Sequence, residues 1–172
     1  MKTYDPAPEH VADLLKAVLK RFYSETLEAV DLTVDLIYAS SDTEAPAVSL
    51  GSYPCLAVVR IMGPKDRAMG RGDAEIVIDR DAYEKLDDNE RTALLDHELY
   101  HLELKTDDFG KPEFDDHQRP KLKMRLHDHQ FGWFDAIAKR HGDASQEVQQ
   151  AQAFSQTSGQ LYFELPVAAA AA

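Results

Sequence analysis

Residues 94–104 read LLDHELYHLEL, with His97 and His101 four positions apart and Glu98 directly after the first histidine. On a helix, four residues advance the chain by little more than one turn, so both imidazoles leave the same side and can hold one zinc ion. Glu98 is turned about 100° from His97, beside that ion, where a carboxylate can take a proton from a water polarised by the metal as it attacks a carbonyl carbon. Leu95, Leu99 and Leu102 fall on the opposite side, so one stripe of the helix is buried while the histidines face a cleft.

A catalytic zinc ordinarily has three protein ligands and leaves its fourth position to water. The third must come from elsewhere in this chain. In the extension H-E-x-x-H-x-x-G-x-x-H, Leu104 stands where glycine makes the sharp turn and Asp107 where the last histidine would be, which makes Asp107 a poor ligand. Glu113 and Glu147 are the carboxylate alternatives, and neither sits in a supporting pattern. LHDHQFGWF, residues 126–134, brings His127 and His129 to the expected start of a helix, from which either can be aimed at the metal. His10, His117 and His141 lack such spacing; His141, in the last turn of a helix, suits the helix dipole.

These side chains need a scaffold. Val11, Leu14, Leu15, Val18, Leu19 and Phe22 recur at helical spacing and predict an amphipathic helix over about residues 8–27. LTVDLIYAS, CLAVVRIM and AEIVID are β-branched runs separated by Gly, Pro and Ser clusters, which predicts at least three strands. GPKDRAMGRGD, between the last two, reads as an irregular loop. Asp87 followed by Glu90 forms a capping-box pattern that starts the histidine helix near residue 88 and carries it to about Leu104. Residues 105–120 are polar and turn-rich, hence loop; KLKMRL is a further short strand. Asp128 is the expected cap of a helix carrying Phe131, Phe134 and Ile137 and closing at RHG. Trp133, Phe134 and Tyr100 suit aromatic core packing, and Asp96 or Asp128 is placed to orient a ligand ring. No internal repeat is apparent.

The chain has 172 residues, enough for one well-packed core, and its 31 acidic against 19 basic residues give a net charge of −12. Such a charge opposes sequence-independent binding to phosphate backbones and anionic membranes. The start MKTYDPAPEH has no apolar signal region, and no run of about 18 uncharged apolar residues occurs, which argues for a protein that stays in the cytoplasm. The single cysteine, Cys55, excludes an internal disulfide and reads as a small core residue. The RGD tripeptide at 71–73 is read as coincidence.

ALLDHELYHLEL, KLKMRLHDHQFGWFDAIAKRHG and, upstream, GRGDAEIVIDRDAYEKL together resemble the phage metallopeptidase domain, a relative of SprT-like zinc proteases, over roughly residues 30–142. SprT-like proteins carry a third histidine in the pattern H-G-x-x-[F/W]; His127 with Phe131 matches that offset, although Asp128 replaces the glycine. The resemblance implies an α+β fold of zincin type, with a small sheet packed against an N-terminal helix and the active-site helix. It also implies host cytoplasm as the setting of a phage-encoded enzyme.

The resulting expectation is a zinc metalloendopeptidase acting on protein or peptide substrates, with His97, His101 and His127 as zinc ligands and Glu98 as general base. Residues 1–142 are expected to form the catalytic domain and 143–172 a helical or extended tail with a frayed alanine end. His129 and Asp107 remain alternatives for the third ligand. Two other functions fit the sequence: a non-enzymatic acidic binding module that occupies a basic groove, and a zinc hydrolase of non-peptide amides. Neither zinc-finger cysteines nor a basic extension is present to support DNA-linked proteolysis.

Overall fold

In a computed structural model, which describes residues 1–43, 45–51, 53–127 and 133–157, helices and short strands alternate along the chain. They run β1 (Lys2–Pro6), α1 (Glu9–Phe22), β2 (Val34–Ser41), β3 (Ser49–Leu50), β4 (Tyr53–Pro54), β5 (Ala57–Ile61), α2 (Pro64–Ala68) and β6 (Ala74–Asp79). They continue as α3 (Arg80–Tyr83), α4 (Asp88–Tyr100), β7 (Leu102–Leu104), β8 (Leu122–Met124), α5 (Asp135–His141) and α6 (Gln146–Thr157).

The main sheet has the order β1-β2-β6-β5, with β2 and β6 parallel and both outer strands antiparallel to their neighbours. It is a mixed sheet in an α+β fold. The interior strand β6 is the apolar run AEIVID: Ala74, Ile76 and Ile78 are fully buried toward the helices, while Val77 meets Val58 and Ala39 on the other face. A strand covered on both faces needs such a near-continuous apolar run. CLAVVRIM becomes the edge strand β5. The strand β1 was not expected, because its five residues are all exposed and carry no alternation.

Helix α1 buries Val11, Leu15, Val18 and Leu19 against this sheet and stops at Phe22, short of the expected residue 27. Tyr23 leaves helical geometry and its carbonyl accepts from the Thr26 and Glu28 amides at 3.0 and 3.1 Å, which turns the chain toward β2. The expected irregular loop at 63–73 contains the short helix α2, begun by Pro64 at a position where a missing N–H costs nothing. Its RGD is not presented to solvent: Asp73 is 2% exposed, and a Cβ on Gly72 would lie 2.9 Å from the Thr33 carbonyl oxygen.

Helix α4 begins on the expected capping box, with Glu90 N–H donating to Asp87 at 2.8 Å and Asp87 N–H to Glu90 at 2.8 Å. Leu95, Leu99 and Leu102 are buried in the core. The helix ends at Tyr100, not Leu104, because the next backbone groups are taken by a ladder: β7 pairs antiparallel with β8, and Arg125 N–H donates to the His101 carbonyl at 2.7 Å.

The chain between β7 and β8 contains an eight-residue repeat that the sequence reading overlooked, TDDFGKP followed by FDDHQRP. Thr106 bridges Pro112 and Phe114 bridges Pro120. Asp107 accepts from the Phe109 and Lys111 amides, and Asp115 in the same way from His117 and Arg119. Gly110 and Gln118 occupy the matching left-handed positions, at φ of 77° and 60°. Arg119 ties the second turn to Asp73 at 2.9 Å, and Arg67 ties it to Asp115 at 3.2 Å. The expected helix start at Asp128 lies outside the described residues, as does Phe131. Phe134 precedes the first turn of α5, and Ile137 within that helix is fully buried.

Candidate metal centre

Three imidazoles meet at the C-terminal end of α4. His97 lies in its last turn and His101 is its C-cap, still in helical geometry. The β7–β8 ladder then returns the chain alongside His101, so that two residues beyond Arg125 the His127 ring reaches the same point. One ring nitrogen from each of His97, His101 and His127 lies within 4.8 Å of the others, and His97 Nε2 and His127 Nε2 are 3.2 Å apart. Two nitrogens bound to one tetrahedral zinc at 2.0–2.1 Å would stand roughly 3.3 Å apart. The spacing fits the ion, and an all-imidazole donor set suits zinc.

The other nitrogens fix the rings. His97 Nδ1 is 2.7 Å from Glu147 Oε1, and His101 Nδ1 is 2.9 Å from the Arg125 carbonyl oxygen. With each Nδ1–H donating to its oxygen, each Nε2 keeps a lone pair for the common point. Burial pushes the His101 pKa down to about 4, with the neighbouring His97 and His127 rings adding to it, so this ring is neutral at pH 7. For His97, burial acts downward, but the hydrogen bond to Glu147 and nearby carboxylates raise its pKa above the ordinary value. Burial acts upward on Glu147, and the bond to His97 outweighs it and keeps the carboxylate ionised.

Glu98 is 4% exposed and lies in the same cleft as the three histidines. Burial raises its pKa to about 7, against the pull of His97 and of a backbone hydrogen bond from Val59 on β5. A carboxylate poised near neutrality suits proton transfer in both directions. β5 is the sheet edge: the Leu56 carbonyl accepts from Asp79 N–H at the end of β6 and Met62 N–H donates to the Asp73 carbonyl just before it, which leaves the backbone groups of Ala57, Val59 and Ile61 pointing away from β6, those of Val59 toward Glu98. AEIVID is interior, so of the two runs only β5 presents an edge.

Phe134 is fully buried beneath the cluster, its ring centroid 5.0, 4.7 and 4.8 Å from those of His97, His101 and His127. Sequence reasoning gave it only a general core role. It also weighed Glu147 as a metal ligand, whereas the structure sets that carboxylate behind His97, on Nδ1. The one signal available was Ser145, whose Oγ accepts from Val148 N–H at 3.3 Å and starts α6 with Glu147 in its first turn.

The remaining candidates lie elsewhere. Asp107 is occupied by its own turn, and Glu113 pairs with Lys121 at 3.2 Å. His129 and Asp128 fall outside the described residues. Asp96 does not touch a cluster ring: fully buried on the far side of α4, it accepts from Tyr23 Oη at 2.5 Å and Arg140 at 3.0 Å and lies 2.7 Å from His141 Nε2. His141 thus has a specific carboxylate partner in addition to its helix-end position. His10 and His117 are exposed, and Cys55 is half-buried in the cleft wall.

Among the described residues no helix is long and apolar enough to cross a membrane. No curated protein and no solved structure shows significant similarity to this chain. A family model does match, over residues 7–154, which takes in α1, the strands β2, β5 and β6 of the main sheet, the three histidines, Glu98 and Glu147. With most of its length matched, the chain belongs to the family described as "Putative phage metallopeptidase", a family of metal-dependent peptidases.

Proposed function

We propose that this protein is a zinc-dependent metalloendopeptidase of the HExxH type, built on a zincin-like plan, in which His97, His101 and His127 hold the metal and Glu98 is the general base. The observation that carries the reading is the 3.2 Å approach of His97 Nε2 to His127 Nε2, with His101 completing the set within 4.8 Å and Glu98 buried in the same cleft. A zinc ion in this ligand set would acidify a water and polarise the scissile carbonyl.

Glu147 and the Arg125 carbonyl hold the imidazoles in the tautomer that turns Nε2 inward. Glu98, steadied by the Val59 amide, accepts the proton of the attacking water and delivers it to the leaving amine, a role for which a carboxyl group near neutrality is suited. Phe134 keeps water from the back of the rings and so strengthens every charge interaction in front of them. The substrate is a polypeptide, and the functional unit in this reading includes α6, since Glu147 stands on it.

The test is metal analysis of chelator-treated and reconstituted protein, followed by assay against casein and a peptide library. One zinc per chain and cleavage are expected. Glu98→Gln should keep the zinc and lose about 10²–10⁴-fold in turnover, whereas His127→Ala should lose the metal. Zinc-loaded protein that hydrolysed small amides and left peptides intact would move the assignment to a non-peptide amide hydrolase. Biological activity unchanged by Glu98→Gln would favour an acidic binding module.

A further inference from the structure

The cleft that contains the histidines and Glu98 has a volume of about 1250 Å³, far more than a metal and a water require. Its wall beside the cluster is formed by apolar side chains, among them Val58, Leu94, Ala47 and the half-buried Cys55. At its rim stand three large apolar side chains in water: Leu50 at 63%, Tyr53 at 78% and Met124 at 42% exposure. Leu50 and Tyr53 face each other across the β3–β4 hairpin, whose turn is made possible by Gly51 at φ 62°. Isolated exposed apolar residues are ordinary, but several gathered on one cleft mark a contact surface. In the same cleft the backbone amide of Ala57, on the edge strand, points away from β6.

We propose that the β3–β4 hairpin, together with Met124, is the specificity surface of this peptidase, and that it selects extended polypeptide segments with a large apolar side chain beside the scissile bond. The inference rests on the peptidase reading above and adds the class of substrate. A strand edge whose amide points into a cleft can accept an extended backbone. Water leaves Leu50, Tyr53 and Met124 only when the incoming side chain is apolar, whereas a charged one would lose its own hydration against Val58 and Leu94. Of the other ionisable groups lining the cleft, Asp79 accepts from the Ala47 and Ala82 amides and Glu147 is held by His97; apart from Glu98 and the histidines this leaves Asp81 and Lys85, of opposite sign, which give no net preference for a charged side chain.

The experiment uses the zinc-loaded full chain and matched quenched peptides that differ at one position flanking the bond, Leu or Phe against Asp or Lys. Preference for the apolar members of roughly tenfold or more in kcat/KM is expected, the range for burying one such side chain. The Leu50→Ser, Tyr53→Ser double variant should reduce that preference at least fivefold, mainly through KM. Both positions are exposed, and unchanged zinc content and circular dichroism would show an intact fold. Zinc-loaded Glu98→Gln protein titrated with the same peptides reports docking without turnover. Cleavage by the wild type with no apolar preference, or a double variant that keeps it, overturns the specificity surface and leaves the peptidase standing. Absence of all cleavage overturns the peptidase reading, and the Glu98→Gln titration then decides the surface separately: equal binding of all peptides sinks it.

Discussion

At the scale of single residues, the HExxH triplet was legible because its geometry is local: once 94–101 is helical, the positions of His97, Glu98 and His101 follow from 3.6 residues per turn. His127 was legible only as one of two neighbouring histidines, since its approach depends on a ladder formed by other residues. Glu147 was weighed for the wrong atom because its contact with His97 spans 50 positions and arises from the packing of α6. Replacing Glu147 with Ala should weaken zinc affinity by about 10–100-fold, and Gln, which keeps an acceptor oxygen, should recover part of it; competition with a chromogenic chelator measures both. Glu98 carries a stability signature of its own. Its pKa rises from 4.5 to about 7 on folding, so its favourable contribution is complete below pH 4.5 and is lost as pH rises through 7. Urea unfolding of metal-free protein should show Glu98→Gln more stable than wild type by about 3 kcal/mol at pH 8, with the gap closing toward pH 4.5.

At the scale of elements, the runs that became β2, β5 and β6 were readable because buried strands need continuous β-branched and apolar sequence. β1 was not, since an exposed outer strand of composition KTYDP is held by pairing with β2 alone. The end of α4 was misplaced for a related reason: LEL suits a helix or a strand equally, and the choice was made by pairing with residues 122–124, about twenty positions away. Gly72 illustrates how tightly the parallel pair is closed. A methyl group there would meet Thr33 O at 2.9 Å, with Ala74 O and Asp35 N each at 3.1 Å, all of them backbone atoms. Gly72→Ala should therefore cost about 1–3 kcal/mol, read as a lower urea midpoint with an unchanged slope.

At the scale of the molecule, the elements are joined by buried polar networks that no local pattern announces. Asp96 on α4 holds Tyr23 at the end of α1 and both Arg140 and His141 on α5. Burial alone would raise the Asp96 pKa, but hydrogen bonds from His141, Tyr23 and Arg140 bring it below its ordinary value. A depressed carboxylate stabilises the fold above its unfolded pKa and loses that contribution as pH falls through the folded value. Asp96→Asn should cost about 3 kcal/mol near neutrality, and the deficit should shrink in acid as pH falls beneath the ordinary carboxylate range and through the depressed folded value, where the wild-type carboxylate is itself protonated. Thermal melts across that range would show the two proteins converging.

The paired turns between β7 and β8 carry one more implication. Phe109 at the tip of the first turn is 88% exposed, whereas the stems on both sides are laced by Lys105–Lys121 and Glu113–Lys105 hydrogen bonds and anchored through Arg119 to Asp73. A cut at that tip severs the covalent path from His101 to His127 and leaves every noncovalent tie between them in place. A nicked molecule should thus persist as two associated fragments that elute together, separate only in denaturant, and still grip one metal ion between them.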